Sequence, residues 1–128
     1  MDTKNFTIKS QEAIQKAQEL AMIGQQQAIE TGHILKALFT VDEEVLSYAL
    51  KKVNANTQRI EQALDSILMS YPKVSGAGNQ YLSNVSQQTL VKANAYLKEF
   101  EDEFVTIEHI FLALTEGSDQ VANLLKDA

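Results

Sequence analysis

One ten-residue pattern occurs twice in this chain at a fixed separation, and a chain made by duplication has few folds open to it. Ile29-Glu30-Thr31-Gly32-His33-Ile34-Leu35-Lys36-Ala37-Leu38, advanced by 76 positions, lands on Val105-Thr106-Ile107-Glu108-His109-Ile110-Phe111-Leu112-Ala113-Leu114, with His, Ile, Ala and Leu in matching places. The register holds backwards without a gap: Ser10 and Gln11 match Ser86 and Gln87, Lys16 and Ala17 match Lys92 and Ala93, and Ile14 matches Leu90. Helical composition alone does not produce such shared spacing, so the chain reads as a tandem duplication.

Within each copy the apolar residues recur at helical steps. Ser10 to Ile23 reads as an amphipathic helix on Ile14, Ala17 and Ala21, capped by Thr7 or Ser10, and broken by Gly24 and the run Gln25 to Gln27. The repeated pattern is a helix start: Thr106 is a good N-cap, and Val105 with Ile110 takes the two positions of a hydrophobic staple, as Ile29 with Ile34 does in the first copy. Asp42 caps a third helix carrying Val45, Leu46, Ala49, Leu50 and Val53. Asn56 caps a fourth on Ile60, Leu64, Ile67 and Leu68, ended by the only proline, Pro72.

Lys73 to Leu82, containing Ser75-Gly76-Ala77-Gly78-Asn79, reads as a flexible connector between copies. The second copy then has a helix over Ser83 to Phe100, an acidic loop at Glu101-Asp102-Glu103, a motif helix from about Ile107 to Leu114, and a last helix with Val121, Leu124 and Leu125. No stretch alternates like a strand. The expectation is an all-α fold, a tandem duplicated helical repeat whose two halves of about four helices pack as one domain. Its parts are repeat one at about 7–70, a linker at about 71–82 and repeat two at about 83–128.

Composition narrows the function. The 128 residues are 45% apolar and 22% charged, enough for one core without staples, and there is no Cys for a disulfide or a thiolate metal site. No apolar run approaches the roughly 18 residues of a membrane span. Seventeen acidic against eleven basic residues leave a net charge of -6, which repels a phosphate backbone. These features point to a cytoplasmic protein with a protein or peptide partner, no nucleic acid and no membrane.

No catalytic constellation emerges. His33 and His109 sit at identical repeat positions, and neither has a second ligand at the i, i+4 spacing of a helical metal site. At the third position of a capped helix each imidazole can bond back to the cap backbone, a structural task that duplication copies twice. The glycine-rich connector lacks the Gly-Lys-Ser/Thr and the preceding strand that cradle phosphates. A small hydrolase or metal protein using His33, His109, Asp102 and Glu108 is the rival from a different class. Asp102 and Glu108 fit an acidic recognition edge better than an acid–base pair.

The copies also differ. Gln15 and Glu19 become Val91 and Ala95, Thr31 and Lys36 become Ile107 and Leu112, Leu35 becomes Phe111, and Ala28 becomes Phe104. These apolar replacements either pack between the halves or line an exposed groove for apolar peptide segments.

The whole chain resembles the N-terminal domain of the ClpB family of AAA+ disaggregase chaperones. The resemblance rests on Phe6-Thr7-Ile8-Lys9-Ser10-Gln11-Glu12-Ala13, Gln27-Ala28-Ile29-Glu30 followed by His33, Tyr71-Pro72-Lys73-Val74-Ser75-Gly76, and Phe104-Val105-Thr106-Ile107-Glu108-His109. It implies a mobile, non-catalytic helical module that engages unfolded or aggregated polypeptide ahead of two ATPase rings. The isolated domain is expected to be monomeric with no cofactor of its own, the parent being a hexamer that uses ATP and Mg. By motif, the family's substrate-contact positions fall on Thr7, Asp102 and Glu108, and its hydrophobic groove on Leu90, Val91, Ala95, Tyr96, Phe104 and Ile107. The alternative within the family is an adaptor-docking module of the ClpA/ClpC type. One departure stands out: Thr31-Gly32-His33 replaces the Pro-Glu-His of many relatives, so the first copy lacks the glutamate that Glu108 supplies in the second. In ClpC-type relatives both glutamates help bind phosphorylated arginine. Gly at this helix start costs about half to one kcal/mol of helix propensity, which the staple is expected to offset.

Overall fold

Every helix start in this chain is announced by a side chain that can accept from orphan amides, and the computed structural model, which describes residues 3–75 and 79–127, uses nearly all of them. Thr7 Oγ1 accepts from Ser10 N at 3.1 Å to open α1 (Ile8–Ile23), and Ser83 Oγ accepts from Ser86 N at 3.1 Å to open its counterpart α5 (Asn84–Glu99). Between them lie α2 (Thr31–Val41), α3 (Glu43–Lys52, capped by Asp42) and α4 (Thr57–Ser70, capped by Asn56). The second copy continues with α6 (Ile107–Thr115, capped by Thr106) and α7 (Gln120–Lys126, capped by Asp119). The all-α duplicated repeat is thus the architecture. Among the described residues the first copy supplies four helices and the second three, and none in the second corresponds to α4.

The two motif helices form the centre. In α2 Thr31 to Leu35, Ala37, Leu38 and Phe39 are all buried, so this helix is apolar almost all round, as a helix wrapped by others must be. It packs against α1, α3, α4, α5 and α6. Ile34, Leu35 and Leu38 of α2 share one core with Leu46, Ile60, Leu64, Leu90, Ile110 and Leu114. Val53, expected on the inner stripe of α3, is instead its C-cap and is 68% exposed, because the helix ends at Lys52.

What locks the copies together is an exchange. Ser10, considered above as a cap, lies one turn inside α1, fully buried, and its Oγ donates to Val105 O at 2.8 Å; Ser86 Oγ donates to Ile29 O at 2.8 Å. Thr7 N also donates to Val105 O, and Ser83 N to Ile29 O. Each first helix therefore grips the residue just before the other copy's motif helix. Phe6 bridges Val105, and β2 (Tyr81–Leu82) pairs in parallel with β1 (Ala28–Ile29), placing Leu82 opposite Ile29. Two residues are too short to leave an alternating pattern, which is why no strand was expected. Each buried bond of this kind contributes about 1 kcal/mol net, and more is lost when the carbonyl is left unpaired.

The connector is less free than its composition implies. Val74 N donates to Gln25 O at 2.8 Å, Tyr81 N to Gln27 O at 3.1 Å, and Gln80 Nε2 to Gln26 O at 3.0 Å. The carbonyls of the turn after α1 need donors, and the described parts of the connector supply them. Gly76, Ala77 and Gly78 lie outside the described residues.

Candidate functional site

The chain after each first helix turns in the same way. Gln25 and Glu101 adopt positive φ, 62° and 57°, and the next amides, Gln26 N and Asp102 N, return to Ala21 O and Leu97 O at 2.8 and 2.9 Å. This left-handed C-terminal turn is made without glycine: Gly24, which precedes it, stays right-handed at φ -76°. The turn delivers the side chains of Gln26 and Asp102 to the two histidines. His33 Nδ1 accepts from Glu30 N at 2.9 Å, and His109 Nδ1 accepts from Thr106 N at 2.9 Å. Because Nδ1 is an acceptor, the proton is on Nε2, which donates to Gln26 Oε1 at 3.1 Å and to Asp102 Oδ2 at 2.9 Å. The back-bonding expected from the spacing is present in both copies. Burial pushes the His33 imidazole down from 6.5 to about 4, so it stays neutral. Each histidine belongs to its own copy's helix start, and among the described residues no three His, Asp or Glu side chains gather where they could hold a metal ion.

Gly32 has a steric reason beyond the staple. Its amide donates to the Tyr71 hydroxyl at 3.2 Å, and a Cβ added to it would lie 2.4 Å from that oxygen. Tyr71, at the end of α4, thus occupies the place of the missing glutamate side chain and leans on the His33 ring, with centroids 5.2 Å apart. Burial, aided by the Glu30 and Asp119 carboxylates and opposed by the bond from Gly32, pushes its phenol up to about 12. Thr31 Oγ1 donates to Asp119 Oδ2 at 2.7 Å beside it. The start of α2 is closed.

The expected site residues do not converge. Leu90, Tyr96 and Ile107 are buried in the core at 0%, 5% and 3% exposure, so they do not line an open groove; of the three only Ile107 is an apolar replacement, and it packs between elements. Tyr96 also spends its hydroxyl on the Glu116 carboxylate. Thr7 is half-buried at the α1 cap, with its hydroxyl on Ser10 Oγ at 2.9 Å. Asp102 is half-exposed and paired with His109, and Phe104 is exposed beside the Phe6 bridge. Glu108 is exposed on the first turn of α6 and faces a cleft against α3.

Val91 and Ala95 remain. Val91, 65% exposed, forms one wall of a groove of about 590 Å³ running between α1 and α5. Ile14 and Gln18 of α1 form the other wall, Gln87 stands beside Val91, and Ile29 with Leu82 forms the floor. Ala95 lies with Val91, Gln87 and Lys92 on an adjoining depression over the outer face of α5. Sequence reasoning missed Ile14, Ile29 and Leu82, which it had assigned to the core stripe and to helix and connector boundaries. The signal available was that Val91 replaces Gln15 on a helix already supplied with a core face.

The family model for the Clp repeat N-terminal domain matches residues 5–128, and the chain belongs to that family. It is 47% identical over its full length to the chaperone protein ClpB of Bacteroides thetaiotaomicron and 40% identical over its full length to that of Porphyromonas gingivalis, covering 15% of each of those proteins. The chain therefore spans about a seventh of the curated relatives it matches. Its fold is similar to that of the Hsp104 N-terminal domain from Candida albicans, at TM-score 0.85 and 24% identity over 97% of this chain and 81% of that one. It is a chaperone-type Clp N-terminal domain. Among the described residues no helix is long and apolar enough to cross a membrane.

Proposed function

We propose that this domain captures exposed apolar segments of unfolded or aggregated protein for an ATP-dependent disaggregase, holding them before threading by ATPase rings outside this chain. The observation that carries the reading is the groove between α1 and α5, apolar on its floor and on the Ile14 and Val91 walls, with the glutamines Gln18 and Gln87 along its rim. An apolar floor desolvates side chains that a native protein keeps inside, and rim amides bond the backbone of an extended segment. Burying one or two such side chains is worth about 1.5–3 kcal/mol each before ordering costs, so capture is weak and release into a pore remains easy.

In this reading the domain works by binding, with no catalysis and no cofactor of its own. Val91 and Ala95 touch substrate. Thr7 and Asp102 act through the parts they hold in place, the α1 start and the His109 ring.

An NMR titration separates this from adaptor docking. Amide shifts at Ile14, Leu82, Gln87 and Val91 are expected with an aggregation-prone protein in its unfolded form and not with an equal concentration of it folded. Silence of the groove toward unfolded protein would overturn the reading and favour recognition of a single folded adaptor.

A further inference from the structure

The groove between α1 and α5 carries no charge: apolar side chains, glutamines, a tyrosine and a threonine line it. Across Gln87 and Val91, which border both, it runs on into the depression of about 430 Å³ on the outer face of α5. One charge stands there, Lys92, among Asn84, Gln88 and Ala95. An exposed lysine is ordinarily a solvated charge with no task of its own. The duplication shows what sets this one apart. Its counterpart Lys16 has carboxylates on both neighbouring turns, Glu12 before it and Glu19 after it, and Lys16 Nζ lies 3.5 Å from the Glu19 carboxylate. In the second copy those two positions are Gln88 and Ala95. The lysine is kept and both of its acidic neighbours are gone, and among the described residues no carboxylate pairs with Lys92.

We infer that Lys92 is a specificity-determining residue of the groove, selecting segments in which an aspartate or glutamate side chain stands beside the apolar residues held between α1 and α5. The apolar side chains lie against Ile29, Leu82 and Val91, and the carboxylate passes over Val91 to accept from the Lys92 ammonium. With Ala95 where the first copy has Glu19, no resident carboxylate competes, and the small side chain leaves the helix face open. The anion is a side chain and not a chain end, because an unfolded polypeptide presents many internal segments and a single C-terminus. The net charge of -6 opposes any anion at long range, yet charges beyond about 8 Å are screened at physiological salt, so the local lysine decides.

The inference rests on the capture reading, since its ligand is the same non-native polypeptide. Its test uses two unstructured peptides, acetylated and amidated so that neither carries a terminal charge. Both have a central run of leucines, flanked two residues away on each side by glutamate in one and by glutamine, the neutral isostere, in the other. Titrated into the domain by NMR, the glutamate form is expected to bind about twofold to fivefold tighter and to shift the Lys92 and Ala95 amides besides those of Ile14 and Val91. Added salt should shrink that preference. Lys92→Gln is expected to abolish it, whereas Lys51→Gln, which changes the net charge equally from α3, leaves most of it. Ala95→Glu, which rebuilds the first copy's pair, is expected to abolish it with Lys92 still present. The quantity read is the ratio of the two affinities, which a general weakening of the groove does not move. Equal binding of the two forms by the parent domain, or a preference that Lys51→Gln removes as fully as Lys92→Gln, would overturn the role of Lys92, while shifts at Ile14 and Val91 with both forms would still uphold capture in the groove. Silence at Ile14 and Val91 with both forms would remove the groove reading and the selection with it.

Discussion

The starts of α2 and α6 began as the same object and now differ in one respect, access. Both keep the histidine bonded back to the cap amide, and both receive a polar side chain from the turn after the preceding helix. In the first copy that side chain is a buried glutamine, and Tyr71 seals the helix end over Gly32. In the second it is a half-exposed aspartate, and Glu108 faces a cleft. Duplication fixed the framework, and the unmatched helix α4 closed one of the two openings by ending in Tyr71. A domain with two equivalent ends thereby gained one that is structural and one that is available.

The sharpest way to break this comparison is to remove each histidine. His33→Ala leaves a buried cavity with Gln26 and the Glu30 amide unpaired, and is expected to cost about 2–4 kcal/mol in urea unfolding. His109→Ala, beside an Asp102 that water can reach, is expected to cost about half as much. Equal losses would mean the first copy is not sealed. Restoring the family glutamate by Gly32→Glu drives a side chain into the Tyr71 hydroxyl and is expected to destabilise by about 1–3 kcal/mol, with Tyr71→Ala in the same chain returning part of it.

Ser10→Ala and Ser86→Ala probe what the copies still share. Each removes one of the two donors on a buried carbonyl, Val105 O or Ile29 O, and leaves the backbone amide on it, so both are expected to lose about 1 kcal/mol, and losses differing severalfold would refute the crossed clamp.

The sealed first copy also carries a pH dependence. The folded His33 value lies near 4 against 6.5 unfolded, so between those limits the unfolded chain binds the extra proton. Its contribution is complete above about pH 6.5 and is lost as the pH falls toward 4. Denaturation midpoints measured across that window should fall less steeply for His33→Gln than for the parent chain.

The sequence carried the helices and the duplication well, because caps and apolar steps are local. Asp42, Asn56 and Thr106 cap the helices they precede, and Pro72 follows the end of α4. The crossed pairing of Phe6 with Val105 and of Leu82 with Ile29 was hidden, since two-residue strands leave no period to read. The site was legible only in part for a similar reason. Val91 and Ile107 both replace polar residues of the first copy, yet Val91 faces solvent and Ile107 the core, a distinction set by the neighbour each meets. Tyr71 packing on Gly32 joins positions far apart in the chain, which no spacing rule connects.

Gln15 and Val91 are the same position in the two copies, and only Val91 lines the groove. The decisive measurement is the affinity for an unfolded, aggregation-prone polypeptide of two single variants, Val91→Gln, which returns the second copy to the first copy's residue, and Gln15→Val, the reverse exchange. Both positions are exposed, so neither change is expected to disturb folding. Loss of the valine contact is worth about 1–1.5 kcal/mol, so Val91→Gln should bind roughly fivefold to tenfold more weakly while Gln15→Val stays near the parent. Unchanged binding by Val91→Gln would contradict capture in the groove between α1 and α5.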